Sequence, residues 1–341
     1  MNRPNSNGRP TIVDVARKAG LSVGTVSNYL NGQSLRMANR ARIEAAIEEL
    51  SFTRNQIAVS MKTTETRLVG LLVPSMSEFH GGIAERLSAI LHEQGRALLT
   101  YCHGQKPDVM DQALDFFTGQ RVAALVLSGA DCLRDKLVRL ADRGLPIICF
   151  NNDIEGVPMQ RVFVNNRDAA RRAVGHLIDL GHSRIAVLSG DLSQSTARER
   201  LEGYHQAMAG RGLAVDDRLV GAGSWRPSLA YAALSDLLDG PQKPTALFSS
   251  SAGMTFGALQ LLADRGLRVP DDISLIGFDD SVAFRLREHP LTVIQQPLDR
   301  IAGAIGELLA AHLEADKYLA PGTLRFDCDL ITRRSCGRLP A

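Results

Sequence analysis

Residues 11–32 read TIVDVARKAGLSVGTVSNYLNG, and this stretch decides the fold of the N-terminal part of the chain. Thr11 is typical of a helix N-cap, and Asp14 three residues later completes a shortened capping box. Gly20 ends this first helix, and Ser22 caps a second short helix. Small and apolar side chains recur at helical spacing along both segments: Ile12, Val15, Ala16, Ala19, Val26 and Leu30. Two short helices joined by a tight glycine-containing turn predict a helix-turn-helix.

A third amphipathic helix is predicted at about residues 39–50, which completes a small three-helix head. Its apolar stripe consists of Ile43, Ala46, Ile47 and Leu50. Residues 1–62 hold nine Lys or Arg against four Asp or Glu, a net charge of +5, whereas the rest of the chain holds 30 against 33, a net charge of −3. A basic head on a slightly acidic body indicates a polyanionic partner for the head.

The head resembles the lactose-repressor (LacI/GalR) family of transcription regulators. The resemblance is carried by the pattern TI-DVA--AG-S--TVS--LNG of residues 11–32 and by EAAIEEL of residues 44–50. It implies a sequence-specific repressor that binds a pseudo-palindromic operator in double-stranded DNA as a homodimer, with a tetramer also open. A dimer reads two half-sites related by its own two-fold symmetry.

The second helix is the one that would enter the major groove. By resemblance, Val23, Gly24 and Asn28 occupy base-reading positions, and an Asn side chain can bond an adenine edge through two hydrogen bonds. Thr25, Ser27 and Tyr29 are expected to touch phosphates, although packing inside the head is an equally good interpretation of Tyr29. The remaining predicted DNA contacts of the head are Thr11, Arg17 and Ser22.

A hinge helix is expected at about residues 54–62, because the family has a segment there that forms on DNA. In the family an apolar side chain of this segment wedges into the minor groove, which unstacks a base step and bends the duplex. Met61 falls at the wedge position, and an ordinary buried or linker Met is the alternative. The predicted DNA contacts of the hinge are Asn55, Ile57, Ala58 and Met61. The head with its hinge therefore spans residues 1–62, and the core spans residues 63–341.

The core alternates short apolar runs with helical stretches. The predicted strands are 68–73, 97–101, 123–127, 146–150, 185–188, 246–249 and 273–277. The predicted helices include 82–94, 168–180, 198–211, 229–238 and 254–265. Apolar strands with crossover helices predict parallel sheets that are covered on both faces. The length of the repeating pattern favours two similar α/β lobes, with a ligand cleft beyond the carboxyl ends of the strands.

Three blocks of the core are similar to the same family. They are GHL---GH--IA of residues 175–186, ISLIGFDD of residues 273–280 and PLT---QP of residues 290–297, and VP--S of residues 73–77 also resembles the end of the family's first core strand. The resemblance implies the fold of periplasmic sugar-binding proteins, dimerised through both lobes. The predicted fold class is therefore an all-α helix-turn-helix headpiece, followed by a two-lobed α/β core with parallel sheets like those of periplasmic binding proteins.

Several classes of function lack their motifs in this sequence. No Gly-x-Gly-x-x-Gly follows the first strand and no Walker motif is present, so neither a nucleotide cofactor nor an enzyme is expected. The five cysteines form no Cys-x-x-Cys pair and the eight histidines form no cluster, so no metal is expected. No apolar run approaches the roughly 20 residues of a membrane span, and the N-terminus lacks an apolar signal core. We expect a cytoplasmic protein with no membrane partner.

The resemblance also implies an effector site in the cleft. Arg200 and Asp279 match positions that clamp ligand hydroxyls through a guanidinium fork and a charged acceptor. Trp225 matches an aromatic wall, and Gln296 lies at a crossover between lobes. A mutual ion pair of Arg200 with Asp279, and a plain core role for Trp225, are the alternatives. The predicted site further includes His80, Ser128, Asn151 and Ser251.

The identity of the effector stays open at this stage. The family's frequent Asn-Asp pair reads Ser251-Ala252 here, its Asn-Pro-Phe-Phe reads Glu78–Gly81, and a common Asp reads Asn151. We expect a sugar or sugar derivative, with a corepressor such as a nucleobase or another non-sugar metabolite as the alternative.

Overall fold

The computed structural model describes residues 10–30, 32–52, 66–314 and 320–339. The chain divides into two compact units, Met1–Thr66 and Arg67–Ala341, and each is described by itself. None of the helices in these described ranges is long and apolar enough to span a bilayer.

The described residues of the first unit form a head with three helices. Its helices are α1 (Ile12–Ala19), α2 (Val23–Leu30) and α3 (Met37–Glu49). Thr11 caps α1 through the predicted capping box, in which the Asp14 carboxylate accepts from the Thr11 backbone N–H at 2.9 Å. Gly20 follows with φ +61°, a left-handed conformation that glycine adopts without strain. The buried centre of the head consists of Val15, Ala16, Ala19, Val26, Ile43 and Ala46.

The second unit contains two six-stranded sheets, one in each lobe. The first sheet has the order β11-β5-β4-β3-β1-β2, with all pairs parallel. Its strands are β1 (Leu68–Val73), β2 (Ala97–Cys102), β3 (Ala124–Leu127), β4 (Ile147–Phe150), β5 (Gln160–Val164) and β11 (Thr323–Phe326). The helices of this lobe are α4 (Glu78–Glu93), α5 (Pro107–Gly119), α6 (Arg134–Asp142) and α12 (Leu298–Glu314).

The second sheet has the order β12-β10-β9-β8-β6-β7, in which only the edge strand β12 runs antiparallel. Its strands are β6 (Ile185–Ser189), β7 (Val220–Ala222), β8 (Ala246–Ser249), β9 (Ser274–Phe278), β10 (Thr292–Gln295) and β12 (Asp329–Ile331). The helices of this lobe are α7 (Asn166–Asp179), α8 (Ser195–Ala209), α9 (Pro227–Asp239), α10 (Ala252–Asp264) and α11 (Val282–Arg285).

The chain crosses between the lobes at three places. It leaves the first lobe between β5 and α7 at Asn165, returns between β10 and α12 at Gln296, and leaves again between β11 and β12 at Asp327. The Asn165 side-chain amide donates to the Asp327 carboxylate, so two of the crossovers are bonded to each other. Because the parallel strands of both sheets end near these crossovers, their following loops define the cleft.

The predicted fold class is confirmed, but several elements were not predicted. The strands β5, β7, β10, β11 and β12 and the helices α5, α6, α11 and α12 are absent from the sequence prediction. Helix α4 begins at Glu78 rather than at Gly82, because the Ser77 hydroxyl accepts from the His80 N–H at 3.3 Å and caps the helix there.

Candidate DNA-binding and effector sites

Helix α2 presents its predicted base-reading positions to solvent. Val23 is 40% exposed, and Gly24 and Asn28 are also exposed. Thr25 and Ser27 are half-buried. Ser22 caps the helix, since its hydroxyl accepts from the Thr25 N–H at 3.1 Å. The exposed amide of Asn28 therefore has the freedom that a base contact requires.

Tyr29 is held within the head. Its hydroxyl donates to the Glu44 carboxylate at 2.8 Å, and the Arg40 Nε donates to the same oxygen at 2.8 Å. The hydrogen bond to Glu44 raises the pKa of Tyr29. These contacts favour the packing interpretation of Tyr29 over a phosphate contact. Arg17 is exposed and pairs with Asp14 at 3.1 Å.

The predicted hinge contacts cannot be placed in the same way. Asn55, Ile57, Ala58 and Met61 lie outside the described residues. Their contacts with DNA stay predictions.

A cavity of about 150 Å³ lies between the lobes of the core. Seven of the eight residues predicted for effector binding line it: His80, Asn151, Arg200, Trp225, Ser251, Asp279 and Gln296. They come from both lobes, at the ends of different strands and at the start of different helices. The eighth residue, Ser128, is buried and does not line the cavity; its hydroxyl lies 3.3 Å from the Nε2 of His80.

The guanidinium of Arg200 is buried beside this cavity. The residue is 3% exposed, its Nε donates to Asn166 Oδ1 at 2.8 Å, and its Nη1 donates to the Ser250 carbonyl at 2.6 Å. Its Cζ lies 3.4 Å from the centre of the Phe278 ring. Burial lowers the pKa of Arg200 to about 10, while the charge of Asp279 opposes that shift. Arg200 is therefore still a cation at neutral pH.

Asp279 faces the cavity from the end of β9. Its backbone has φ +70°, and its carboxylate accepts from Gln296 Nε2 at 2.6 Å. Burial raises the pKa of Asp279, and the charge of Arg200 opposes that rise. Among the described residues, Arg200 and Asp279 form no ion pair of 4.0 Å or shorter. The two groups are thus close enough to influence each other's pKa but do not form a direct ion pair.

Trp225 forms an aromatic wall whose position is held on two sides. Its backbone has φ +63°, and its indole N–H donates to Gln194 Oε1 at 2.9 Å. A Cβ on Gly190 would lie 2.1 Å from the ring, so only glycine leaves room for the indole there. The same Gln194 oxygen accepts from Asn152 Nδ2 at 3.1 Å, which links the wall to the other lobe.

Gln194 and Asn152 were missed by the sequence prediction, although both line the cavity. Each lies in a loop that follows a strand, Asn152 after β4 and Gln194 after β6. A polar residue just beyond the carboxyl end of a parallel strand is the signal that could have identified them.

His80 lies in an apolar pocket at the first-lobe side of the cavity. Its Nδ1 is 2.9 Å from the Ser77 hydroxyl, and its ring packs edge-on against Phe79 and Phe150. Burial, with a smaller contribution from the charge of His103, lowers the pKa of His80 to about 4. His80 is therefore neutral at physiological pH, with one donor N–H and one acceptor nitrogen, which pair with the hydroxyls of Ser77 and Ser128.

The lobes are joined by further hydrogen bonds around the cavity. The Thr196 hydroxyl donates to the Asn151 carbonyl at 2.6 Å, and the Asp153 N–H donates to the Ser195 hydroxyl at 2.9 Å. The Ser281 hydroxyl bonds the Glu78 carboxylate at 2.8 Å. These bonds tie the first lobe to the start of α8 and the loop before α11, so the cleft is closed.

A second, larger groove of about 730 Å³ borders the crossovers. Its lining includes loop residues 151 and 153–155, Phe163 and Arg325 of the first sheet, and Arg198 and Glu199 of α8. No group of His, Cys, Asp or Glu in the described part of the chain has the arrangement of a metal site.

Two family models match the chain. The model for bacterial regulatory proteins of the lacI family matches residues 11–55, which contain the helix-turn-helix. The model for a periplasmic binding protein-like domain matches residues 174–336.

Curated relatives match nearly the whole chain. The chain is 34% identical to the transcriptional regulator GalR of Escherichia coli over 332 residues, which cover 95% of each chain. It is 28% identical to the transcriptional repressor PurR of Actinobacillus pleuropneumoniae over 332 residues, 96% of this chain and 99% of the relative.

Solved structures of similar proteins have the same fold. The lac repressor dimer bound to operator and the anti-inducer ONPF has a TM-score of 0.83 at 25% identity, covering 96% of this chain and 99% of that chain. The complex of the transcriptional regulator CelR with cellobiose has a TM-score of 0.72 at 29% identity, covering 96% of this chain and 100% of that chain.

Proposed function

The chain belongs to the LacI family of bacterial regulatory proteins, and on that basis we propose that a small effector bound between the core lobes controls its affinity for operator DNA. The chain is a DNA-binding transcriptional repressor rather than an enzyme. Regulators of this family bind operator DNA and small-molecule effectors and form dimers. The effector's chemistry and the residues that bind it belong to the proposal.

The observation that carries the proposal is the convergence of Arg200, Asp279, Trp225 and Gln296 on one cavity. A guanidinium can donate to two neighbouring oxygens, and a carboxylate can accept from two hydroxyls. An aromatic wall offers an apolar face to a ring. These groups together suit a ring compound that carries several hydroxyls.

The charges around the cavity favour a ligand without a phosphate. Among the described residues, the charged ones that line it are Arg200, Asp279 and Glu78, and His80 is neutral. With one guanidinium and two carboxyl groups on this lining, no surplus positive charge is left for a phosphate. We therefore propose a neutral sugar as the effector, and the cellobiose complex of CelR shows that a structural relative binds a sugar.

The closed cleft constrains how the effector enters. At about 150 Å³ the cavity is smaller than the roughly 300–1,000 Å³ of ordinary ligand pockets. Binding therefore requires the lobes to separate, and the bonds of Gln194 and Thr196 to the first lobe must break. We propose that operator binding also favours one lobe angle, so that a ligand which favours one lobe angle shifts DNA affinity through linkage of the two binding equilibria.

A binding panel tests the proposal. The full-length protein is titrated by calorimetry with D-galactose, D-ribose, cellobiose, their available phosphates, and the bases adenine and hypoxanthine. We expect a neutral sugar to bind. Arg200→Lys should lower the affinity for that sugar at least tenfold, since Lys keeps the positive charge but lacks the forked donors of the guanidinium. Binding of a base alone would replace the sugar proposal with the corepressor alternative, which the similarity to PurR also allows.

A further inference from the structure

A hydrogen-bond network of Arg200, Asn166, Glu199 and Arg325 joins the Arg200 guanidinium to the crossovers. Arg200 Nε donates to Asn166 Oδ1 at 2.8 Å, and Asn166 Nδ2 donates to Glu199 Oε2 at 3.1 Å. The other carboxylate oxygen, Glu199 Oε1, accepts from Arg325 Nη2 at 3.1 Å. Arg200 and Asn166 are 3% and 1% exposed, whereas the Arg325 side chain is 42% exposed in the larger groove.

The residues of this hydrogen-bond network come from both lobes. Arg325 lies on β11, two residues before a crossover, and it also donates to the Val164 carbonyl at the end of β5 at 3.3 Å. Asn166 is the first residue of α7, directly after another crossover, and Glu199 lies on α8 of the second lobe. A change of lobe angle moves Arg325 relative to Glu199, because they lie on opposite sides of the crossovers.

We propose that Glu199 is a positioning residue for the effector. Its carboxylate fixes the amide of Asn166, and that amide orients the Arg200 guanidinium. The ion pair of Glu199 with Arg325 makes this orientation depend on the lobe angle. The inference rests on the proposed effector role of Arg200 only for its functional consequence. The geometry of the hydrogen-bond network does not depend on that role.

The hydrogen-bonding chemistry of Glu199, Asn166 and Arg200 explains how Glu199 influences the orientation of the other two groups. A carboxylate only accepts hydrogen bonds, so the NH₂ of Asn166 must face Glu199 and its oxygen must face Arg200. A glutamine at position 199 offers either a donor or an acceptor, so the orientation of Asn166 would then rest on the Arg200 Nε–H and on the long 3.5 Å bond from Asn166 Nδ2 to the Val164 carbonyl. A flipped Asn166 would turn donors toward the Arg200 N–H groups and lose the bond. The negative charge of Glu199 also opposes the lowering of the Arg200 pKa by burial.

The test measures the Arg200 Nε–H directly in full-length protein labelled with ¹⁵N-arginine. The Arg200 signal is identified by its absence in Arg200→Lys, and its exchange with solvent is measured in each variant. We expect Glu199→Gln to raise the exchange rate at least tenfold. Glu202→Gln is the matched control, because Glu202 lies one turn further along α8 and pairs with Arg167 at 2.6 Å without contacting Asn166. The control should leave the rate unchanged.

A second variant keeps the test decisive if Glu199→Gln folds poorly. Arg325→Ala removes the exposed member of the hydrogen-bond network and leaves the Glu199 carboxylate in place. We expect the exchange rate of the Arg200 Nε–H to rise about threefold. Unchanged exchange in both variants would overturn the proposal, as would an equal rise in Glu202→Gln.

Effector affinity gives the functional readout, measured with whichever compound of the panel binds the wild type. We expect Glu199→Gln to weaken that compound at least fivefold and Glu202→Gln not to weaken it. If Arg200→Lys binds the compound normally, the effector role of Arg200 fails. The exchange result then still decides whether Glu199 positions Arg200.

Discussion

Gly190→Ala is the sharpest perturbation of the cavity wall. The added Cβ would lie 2.1 Å from Trp225 Cζ2, whereas ordinary contact begins at 3.4 Å, so the indole must move by about 1.3 Å. That movement breaks or stretches the 2.9 Å bond from the indole N–H to Gln194. Overpacking of this kind costs roughly 1–3 kcal/mol, to which the lost hydrogen bond contributes about 1 kcal/mol. We expect the free energy of unfolding of the core to fall by that amount.

The assay uses the fluorescence of Trp225, which is the only tryptophan of the chain. Urea unfolding followed by this emission gives the change in stability, and the folded-state spectrum reports the displaced ring. Effector affinity should fall about tenfold, which corresponds to about 1.4 kcal/mol. Gly175→Ala is the control, because nothing lies within 4 Å of its Cβ position in the interior of α7. The reasoning is refuted if Gly190→Ala keeps the wild-type spectrum, stability and affinity.

Three further predictions concern the head, the hinge and the half-buried His80. Asn28→Ala should cost about 1–3 kcal/mol in operator binding and relax one base position, whereas Arg17→Ala should weaken all sequences alike and reduce the salt dependence, both measured by anisotropy with operator variants. Met61→Ala should reduce DNA bending and operator affinity together while effector affinity is unchanged; an unaltered bend angle at full affinity would exclude Met61 as the wedge. For His80 the pKa is about 4 in the folded protein against 6.5 normally, so the unfolded chain takes up the proton first and stability is lost as the pH falls from about 6.5 toward 4. His80→Gln should lose about 3 kcal/mol less over that range in urea titrations, and an identical pH dependence would contradict the burial of a neutral His80.

The head was predictable in detail because its signals are local. The cap at Thr11, the glycine at position 20 and the helical spacing of Val15, Ala16 and Ala19 each depend on residues only a few positions apart. The structure places the same side chains in its small core.

The core was predictable in class but less so in its edges. Strands such as β7 and β12 are only three residues long, and β11 is mostly exposed, so none shows an apolar run. These strands form because a neighbouring strand supplies hydrogen-bond partners, which is a tertiary effect that no local pattern reveals.

The cavity shows the same limit at the level of single residues. Resemblance identified Arg200 and Asp279, but it carries no information on the groups that hold them. Asn166 bonds Arg200 across 34 positions of the chain and Glu199 across 33, and Gln194 bonds Asn152 across 42. Such partners become visible only when the fold brings distant parts of the chain together.

The most direct test of the central claim is the operator affinity of wild type and Arg200→Lys, measured with and without the binding compound of the panel on a selected pseudo-palindromic operator. We predict that the compound changes the wild-type dissociation constant at least fivefold, in line with coupling of about 1–3 kcal/mol. Arg200→Lys should bind the operator normally without the compound and show no response to it. A response in Arg200→Lys equal to that of the wild type would contradict control of operator binding from this cavity.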